Sequence, residues 1–261
     1  MLKTAVITGG AKRIGRATAL MLANRGFDVA VHYNSSAEEA NELVHDIASL
    51  GQSAVAIPAN LLDEVAVRKI LPAASHALGK PIGVLINNAS IFEPDDVATG
   101  TRDSWDRAVE SNLRAPVVLT QALAKQAPIA VPEAETGEPI AQALVINMLD
   151  QRVRKLTPAF MSYTIAKMGL WAFTQTAAQA LAPHIRVNAI GPGPTIKNER
   201  QTDAHFAKQR ESLILKRGPT PEDITAAIAY FLDARTVTGQ LLCIDGGQHL
   251  AWETPDVGVP E

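Results

Sequence analysis

Tyr163 and Lys167 stand four positions apart in the run Tyr163-Thr-Ile-Ala-Lys167, and Asp150 lies thirteen residues before the tyrosine. On a helix, side chains four apart leave from one face, so phenol and ammonium would sit together. A free phenol has a pKa of about 10 and exchanges its proton poorly near neutral pH. A lysine ammonium beside it favours the phenolate and makes the phenol a usable proton donor. Chance also produces this spacing on surface helices, so the pair needs support from the rest of the chain. That support comes from Thr8-Gly-Gly-Ala-Lys-Arg-Ile-Gly15 near the start and Asn87-Asn-Ala-Ser90 between. A glycine-rich turn between a strand and a helix lets backbone N–H groups approach a pyrophosphate at the helix N-terminus.

These groups need a scaffold, and the chain alternates strand and helix patterns. Apolar runs predict strands at Leu2–Thr8, Phe27–Tyr33, Ala54–Pro58, Val84–Asn87, Ala143–Met148, Arg186–Ile190 and Leu241–Ile244. Helical periodicity predicts helices at Arg13–Asn24, Ala37–Leu50, Glu64–Leu78, Ser104–Gln126, Ala159–Leu181 and Pro221–Leu232. Continuous apolar strands separated by helices imply a parallel sheet with right-handed crossovers. The expected fold is α/β: one Rossmann-type doubly wound domain over residues 1–261, about seven strands with helices on both faces. Ligand chemistry then belongs at the carboxyl ends of the strands. Two stretches break the rhythm. Ala127–Ile140, with three prolines and a glycine, reads as an exposed loop, and 191–217 reads as a polar substrate flap or a solvated excursion. The tail 252–261 should be extended, with Trp252 as a possible anchor.

Composition narrows the class further. Hydrophobic residues make up 47% of the 261 and aromatics 5%, so the core must be aliphatic. A net charge of −3 with mixed signs suggests neither a nucleic-acid surface nor a basic membrane patch. The single cysteine, Cys243, leaves no internal disulfide and no multi-cysteine metal site, and no metal is expected. No apolar run approaches the ~20 residues that span a bilayer. A soluble cytoplasmic protein acting on a small molecule is the expectation.

Taken together, Thr8–Gly15, Asn87–Ser90 and Tyr163–Lys167 resemble the short-chain dehydrogenase/reductase family, from Leu2 to about Leu250. The family usually shows T-G-x-x-x-G-x-G. Here Gly9 and Gly15 match the outer glycines and Arg13 replaces the middle one. A carboxylate ending the second strand would bond the ribose 2′-hydroxyl of NAD and repel a 2′-phosphate. This strand ends His32-Tyr33-Asn34-Ser35-Ser36, with no acid before Glu38. Asn34, Ser35 and the Arg13 guanidinium could gather around a phosphate instead, which favours NADP(H). His32 could join them or simply pack at the strand end.

The resemblance implies further roles. Ile14, Asn60, Leu61, Asn88, Ala89, Pro192, Gly193 and Thr195 would line the cofactor, with Asn60 near the adenine or merely closing a turn. Asn112 would help hold a water chain to Lys167. Tyr163 would be the proton donor, and Lys167 would also bind the nicotinamide ribose. Ordinary members carry a serine where this chain has Asp150. An ionised Asp opposes negative charge growing on a carbonyl oxygen and is better suited to orienting a proton donor toward a ring nitrogen. Asp150, Arg13 and the Asn-Asn-Ala-Ser-Ile-Phe92 run resemble the pteridine reductases, in which Ser90 and Phe92 would hold a flat pterin. Two alternatives stay open: a reductase of ketones such as 3-oxoacyl thioesters or sugars, and a catalytically idle NADPH sensor. The resemblance also implies a homotetramer, with Leu170, Phe173 and Ala177 facing either a partner or the protein's own sheet.

Overall fold

The computed structural model describes residues 1–252. Seven parallel strands form one sheet: β1 (Thr4–Ile7), β2 (Asp28–Tyr33), β3 (Ala54–Pro58), β4 (Val84–Asn87), β7 (Ala143–Met148), β8 (Ile185–Pro192) and β9 (Leu241–Ile244). Their spatial order is β3-β2-β1-β4-β7-β8-β9. Two further short strands, β5 (Val131–Pro132) and β6 (Pro139–Ile140), pair antiparallel inside the stretch expected to be a plain loop.

The sheet is apolar on both faces because both are covered. Ala5 and Ile7 of β1 point into one core layer with Leu22, Phe27, Leu43 and Phe231. Val6, between them, points into the other layer with Ile70, Leu71, Leu119 and Val187. That is the two-residue period of a strand. The first layer is roofed by α1 (Arg13–Asn24), α2 (Ala37–Ser49) and α8 (Pro221–Asp233). The second is roofed by α3 (Glu64–Leu78), α5 (Ala115–Gln126) and α6 (Met161–Leu181). The chain winds outward from β1 in both directions, so a crevice opens beyond the carboxyl ends of β1 and β4. The registers Ile7↔Val31, Ile86↔Ile146 and Asn87↔Asn147 bring those ends level.

Several elements differ from the sequence expectation. The helix expected over Ser104–Gln126 is α4 (Arg102–Val109), a π-helical turn at Glu110–Arg114, and then α5. Pro116 explains the break: it lacks an N–H for the Asn112 carbonyl four residues back, and its ring crowds that carbonyl. The segment 191–217 holds a helix, α7 (Asp203–Glu211), capped by Thr202, whose hydroxyl accepts from the His205 amide. None of its residues is buried, which accounts for its weak periodicity. Leu170 and Ala177 are buried in the protein's own core, and Phe173 packs against it, so of the two alternatives these residues face the protein's own sheet. The exposed apolar residues of α6 are instead Ile165 and Met168. Trp252 is exposed on this chain; the rest of the tail lies outside the described residues. Among the described residues, no helix is long and apolar enough to cross a membrane.

A buried polar chain links the two central strands to α6. Asn87 Nδ2 donates to Asn147 Oδ1 at 2.8 Å, and Asn147 Nδ2 donates to Thr174 Oγ1 at 2.9 Å. Replacing Asn147 with Ala leaves the buried Asn87 Nδ2 without its partner, while the Thr174 hydroxyl keeps its bond to the Leu170 carbonyl at 2.8 Å. Asn147→Ala is expected to lower stability by about 1–3 kcal/mol, read as a lower urea midpoint with an unchanged slope.

Candidate active site

The turn after β1 is built by close contact. Gly9 has φ of +60°, and a β-carbon on Gly15 would lie 2.2 Å from the Gly9 carbonyl oxygen. Asn88 locks this turn to the loop after β4: its Nδ2 donates to the Thr8 and Gly9 carbonyls at 2.9 and 3.1 Å. The Thr8 hydroxyl accepts from the Asn88 and Ala89 amides at 2.9 and 3.0 Å. Lys12 at the start of α1 supplies no side-chain cap, and the first turn has no acid. Open amides and a positive helix end fit an anion, and Arg13 and Ile14 line the cleft there. At the end of β2 the first acids are Glu38 and Glu39, and Glu39 is paired with Lys12 at 2.5 Å. These residues therefore fit a phosphorylated dinucleotide.

Two expectations about this end change. His32 does not reach toward a phosphate. It is 1% exposed, its Nδ1 accepts from the Gly9 amide at 3.1 Å, and its Nε2 donates to the Ala59 carbonyl at 3.1 Å. Burial pushes its pKa down to about 4, so it is a neutral prop beneath the turn. Arg13 does not gather with Asn34 and Ser35. Its guanidinium donates to the Ile196 and Lys197 carbonyls at 2.9 Å each, strapping α1 to the segment after β8. Its φ of +54° keeps the left-handed backbone of the family's glycine at a steric cost. Asn60 closes a turn, its Oδ1 accepting from the Leu62 amide at 3.0 Å, while Leu61 packs on the core. Gly193 has no room for a β-carbon, which would lie 2.6 Å from Asp245 Cα, and the Thr195 hydroxyl donates to the Gly193 carbonyl at 3.0 Å.

The three chemical residues meet at the end of β7. The Tyr163 hydroxyl donates to Asp150 Oδ2 at 3.0 Å. The other Asp150 oxygen accepts from the Arg152 amide at 2.8 Å, so one carboxylate both caps a short turn and holds the phenol. Lys167, 2% exposed, donates to the Met148 carbonyl at 2.7 Å. Burial lowers its pKa to about 8, with Asp150 pulling the other way. Burial, then the Asp150 charge, raises Tyr163 well above the ordinary phenol range. Tyr163 is a protonated phenol at neutral pH.

Asn112 occupies the π-helical turn, fully buried. Its Nδ2 donates to the Ile91 and Ala108 carbonyls at 2.9 and 3.0 Å, and its Oδ1 accepts from the Ser90 hydroxyl at 2.7 Å. Through these bonds Asn112 fixes the Ser90 loop to the π-helical turn. Phe92 lies edge-on to Tyr163, with centroids 4.8 Å apart.

Residues outside the sequence reading complete the cleft, which measures about 860 Å³. Phe160, at φ of +62°, stacks on Phe92 with centroids 4.1 Å apart. It lies just before the first turn of α6, where helical spacing does not apply, so no local sequence signal marked it. Asp95 accepts at the start of α6: its carbonyl from the Phe160 amide at 2.7 Å, its Oδ1 from the Ser162 amide at 3.1 Å. Arg152 and Arg200 also line the cleft.

A family model described as enoyl-(acyl carrier protein) reductase matches residues 9–249. The chain belongs to the short-chain dehydrogenase/reductase family. Within it, the chain is 43% identical to the solved FolM alternative dihydrofolate reductase 1 from Brucella suis in complex with NADP, with 97% of each chain covered and a TM-score of 0.89. The corresponding Brucella canis protein, also complexed with NADP, is 41% identical over 98% of each chain, with a TM-score of 0.88. The 3-oxoacyl-[acyl-carrier-protein] reductase FabG of Staphylococcus aureus is 29% identical over 257 residues, 96% of this chain and 99% of that protein.

The neutral His32 beneath this reductase's glycine turn has a pH consequence. Its folded pKa of about 4 lies below the ordinary value of 6.5, so the unfolded chain binds more protons between them. Stability from this residue is complete above 6.5 and is lost as pH falls toward 4. The thermal midpoint of the wild type is expected to fall more steeply between pH 7 and pH 5 than that of His32→Gln, which cannot titrate.

Proposed function

We propose that this short-chain reductase is an NADPH-dependent enzyme acting on a pterin-type substrate. The observation that carries the reading is the bond from the Tyr163 hydroxyl to the Asp150 carboxylate, beside Ser90 and the Phe92 ring. The two Brucella relatives, both solved with NADP, support cofactor and substrate class alike. The cofactor is NADP(H), and when bound it supplies the hydride. The open end of α1, the Gly9–Gly15 turn, Asn88, Ala89 and the Pro192–Thr195 segment would hold it, with Asn34 and Ser35 at the 2′-phosphate and Lys167 at the ribose.

The chain's own residues handle the proton. Tyr163 stays protonated at neutral pH because it is buried beside a carboxylate. Asp150 fixes the direction of the hydroxyl, and Ser90 sits close by. A ring nitrogen gaining basicity would take the Tyr163 proton, and the charged Lys167 would offset the negative charge left on the oxygen. Asp150 faces the same space, and its charge would oppose a carbonyl oxygen becoming an alkoxide. The likeness to FabG favours a second reading, reduction of a 3-oxoacyl thioester.

Turnover of a dihydropterin and a 3-ketoester separates the two. Tyr163→Phe should lower dihydropterin reduction about 10²–10⁴-fold while NADPH still binds. Asp150→Ser should lose dihydropterin reduction and gain weak ketoester reduction, with Asp150→Asn isolating charge from shape. A wild type that reduces only the ketoester, unchanged in Asp150→Ser, overturns the pterin reading.

Assembly as a homotetramer is the second part of the proposal. The exposed Ile165 and Met168 give α6 an apolar outer face suited to pairing with a second copy. Light scattering at micromolar concentration is expected to give the mass of four chains; a single-chain mass refutes assembly.

A further inference from the structure

The mouth of the cleft carries two cations that the proton chemistry does not employ. Arg152 and Arg200 both line it, 48 residues apart in sequence. The Arg152 guanidinium carbon lies 5.8 Å from the Phe92 centroid and 5.0 Å from that of Phe160. For Arg200 the distances are 5.6 and 5.9 Å. The two rings are parallel with centroids 4.1 Å apart, so a point beyond either outer face would be far closer to one ring than the other. Both guanidinium groups therefore flank the stack at its sides.

Their protein partners leave much of each fork unused. Arg152 donates to the Thr157 hydroxyl and to the Ala159 carbonyl at 3.5 Å, and Arg200 to the Phe92 carbonyl at 2.7 Å. Each partner is uncharged. Among the described residues neither arginine has a carboxylate within salt-bridge distance. Glu93 feels the charge of Arg200 but is already held by Arg107 at 2.8 and 3.1 Å. Glu199 is an exposed acid at the same rim, and Asp150 is committed to Tyr163. A guanidinium presents five donors that match a carboxylate in pairs. Two of them beside an aromatic platform form a receptor for a flat group joined to an anionic arm.

We propose that Arg152 and Arg200 clamp a carboxylate on the substrate's side arm, selecting pterin-type substrates with an acidic tail over those with a neutral one. This rests on the pterin reading above and specifies its substrate. The flat ring takes the Phe92 side of the cleft, and the arm leaves past the stack between the two cations.

The test measures kcat/KM for dihydrofolate, whose arm ends in carboxylates, and for dihydrobiopterin, whose side chain is neutral. The wild type is expected to favour dihydrofolate, and the preference should shrink as sodium chloride is raised, because salt screens exposed charges. Arg152→Gln and Arg200→Gln should each lower the dihydrofolate-to-dihydrobiopterin ratio about tenfold, mainly through KM for dihydrofolate, as loss of a charge-assisted bond requires. Using the ratio cancels any general loss in a variant, and the salt series on the wild type stands if a variant fails to fold. Equal, salt-insensitive reduction of both pterins, with a ratio unmoved in both variants, overturns the clamp and leaves the pterin reading standing. Reduction of a 3-ketoester with neither pterin consumed overturns both.

Discussion

A buried phenol held 3.0 Å from a half-buried carboxylate governs this molecule. A buried phenol with no partner would lose its hydrogen bond. Together they satisfy each other, and Asp150 spends its second oxygen on a backbone amide. The pairing fixes the protonation state of Tyr163 and requires that the end of β7 and the first turn of α6 meet at one distance. Much of the surrounding architecture meets that requirement.

Each loop at the carboxyl edge of the sheet is tied to a neighbour rather than left to itself. Asn88 and Thr8 join the loops after β4 and β1. Asn112 reaches from a π-helical turn to hold the Ser90 segment. Arg13 reaches from α1 to the segment after β8. His32 supports the glycine turn from beneath. These bonds cross between segments far apart in sequence, so the cleft has a defined shape although most of its lining lies in loops.

The sheet was legible because its strands are short apolar runs at regular spacing, and their order follows from right-handed crossovers. Tyr163, Lys167, Asp150 and the Gly9–Gly15 turn were legible because their spacing is local. What escaped is non-local. Nothing in the sequence separates a histidine that binds phosphate from one that props a turn, and only burial distinguishes them. Leu170 and Ala177 have the same composition whichever way α6 is rotated. The helix break at Glu110–Arg114 depends on a proline that tolerates the first turn of a new helix. Arg152, Phe160 and Arg200 acquire meaning only when three distant loops close on one another.

Asp95 carries a consequence for how the molecule comes into being. It meets the first turn of α6 at Ser162, 67 positions further along the chain. A helix can form locally within microseconds, but an end anchored by so distant a residue is not placed until that long loop has closed. The rod that bears Tyr163 can therefore exist before its tip is aimed. Circular dichroism would register the rod, whereas only cofactor-dependent turnover registers the aim, so partially folded chains would look complete to the first and inert to the second.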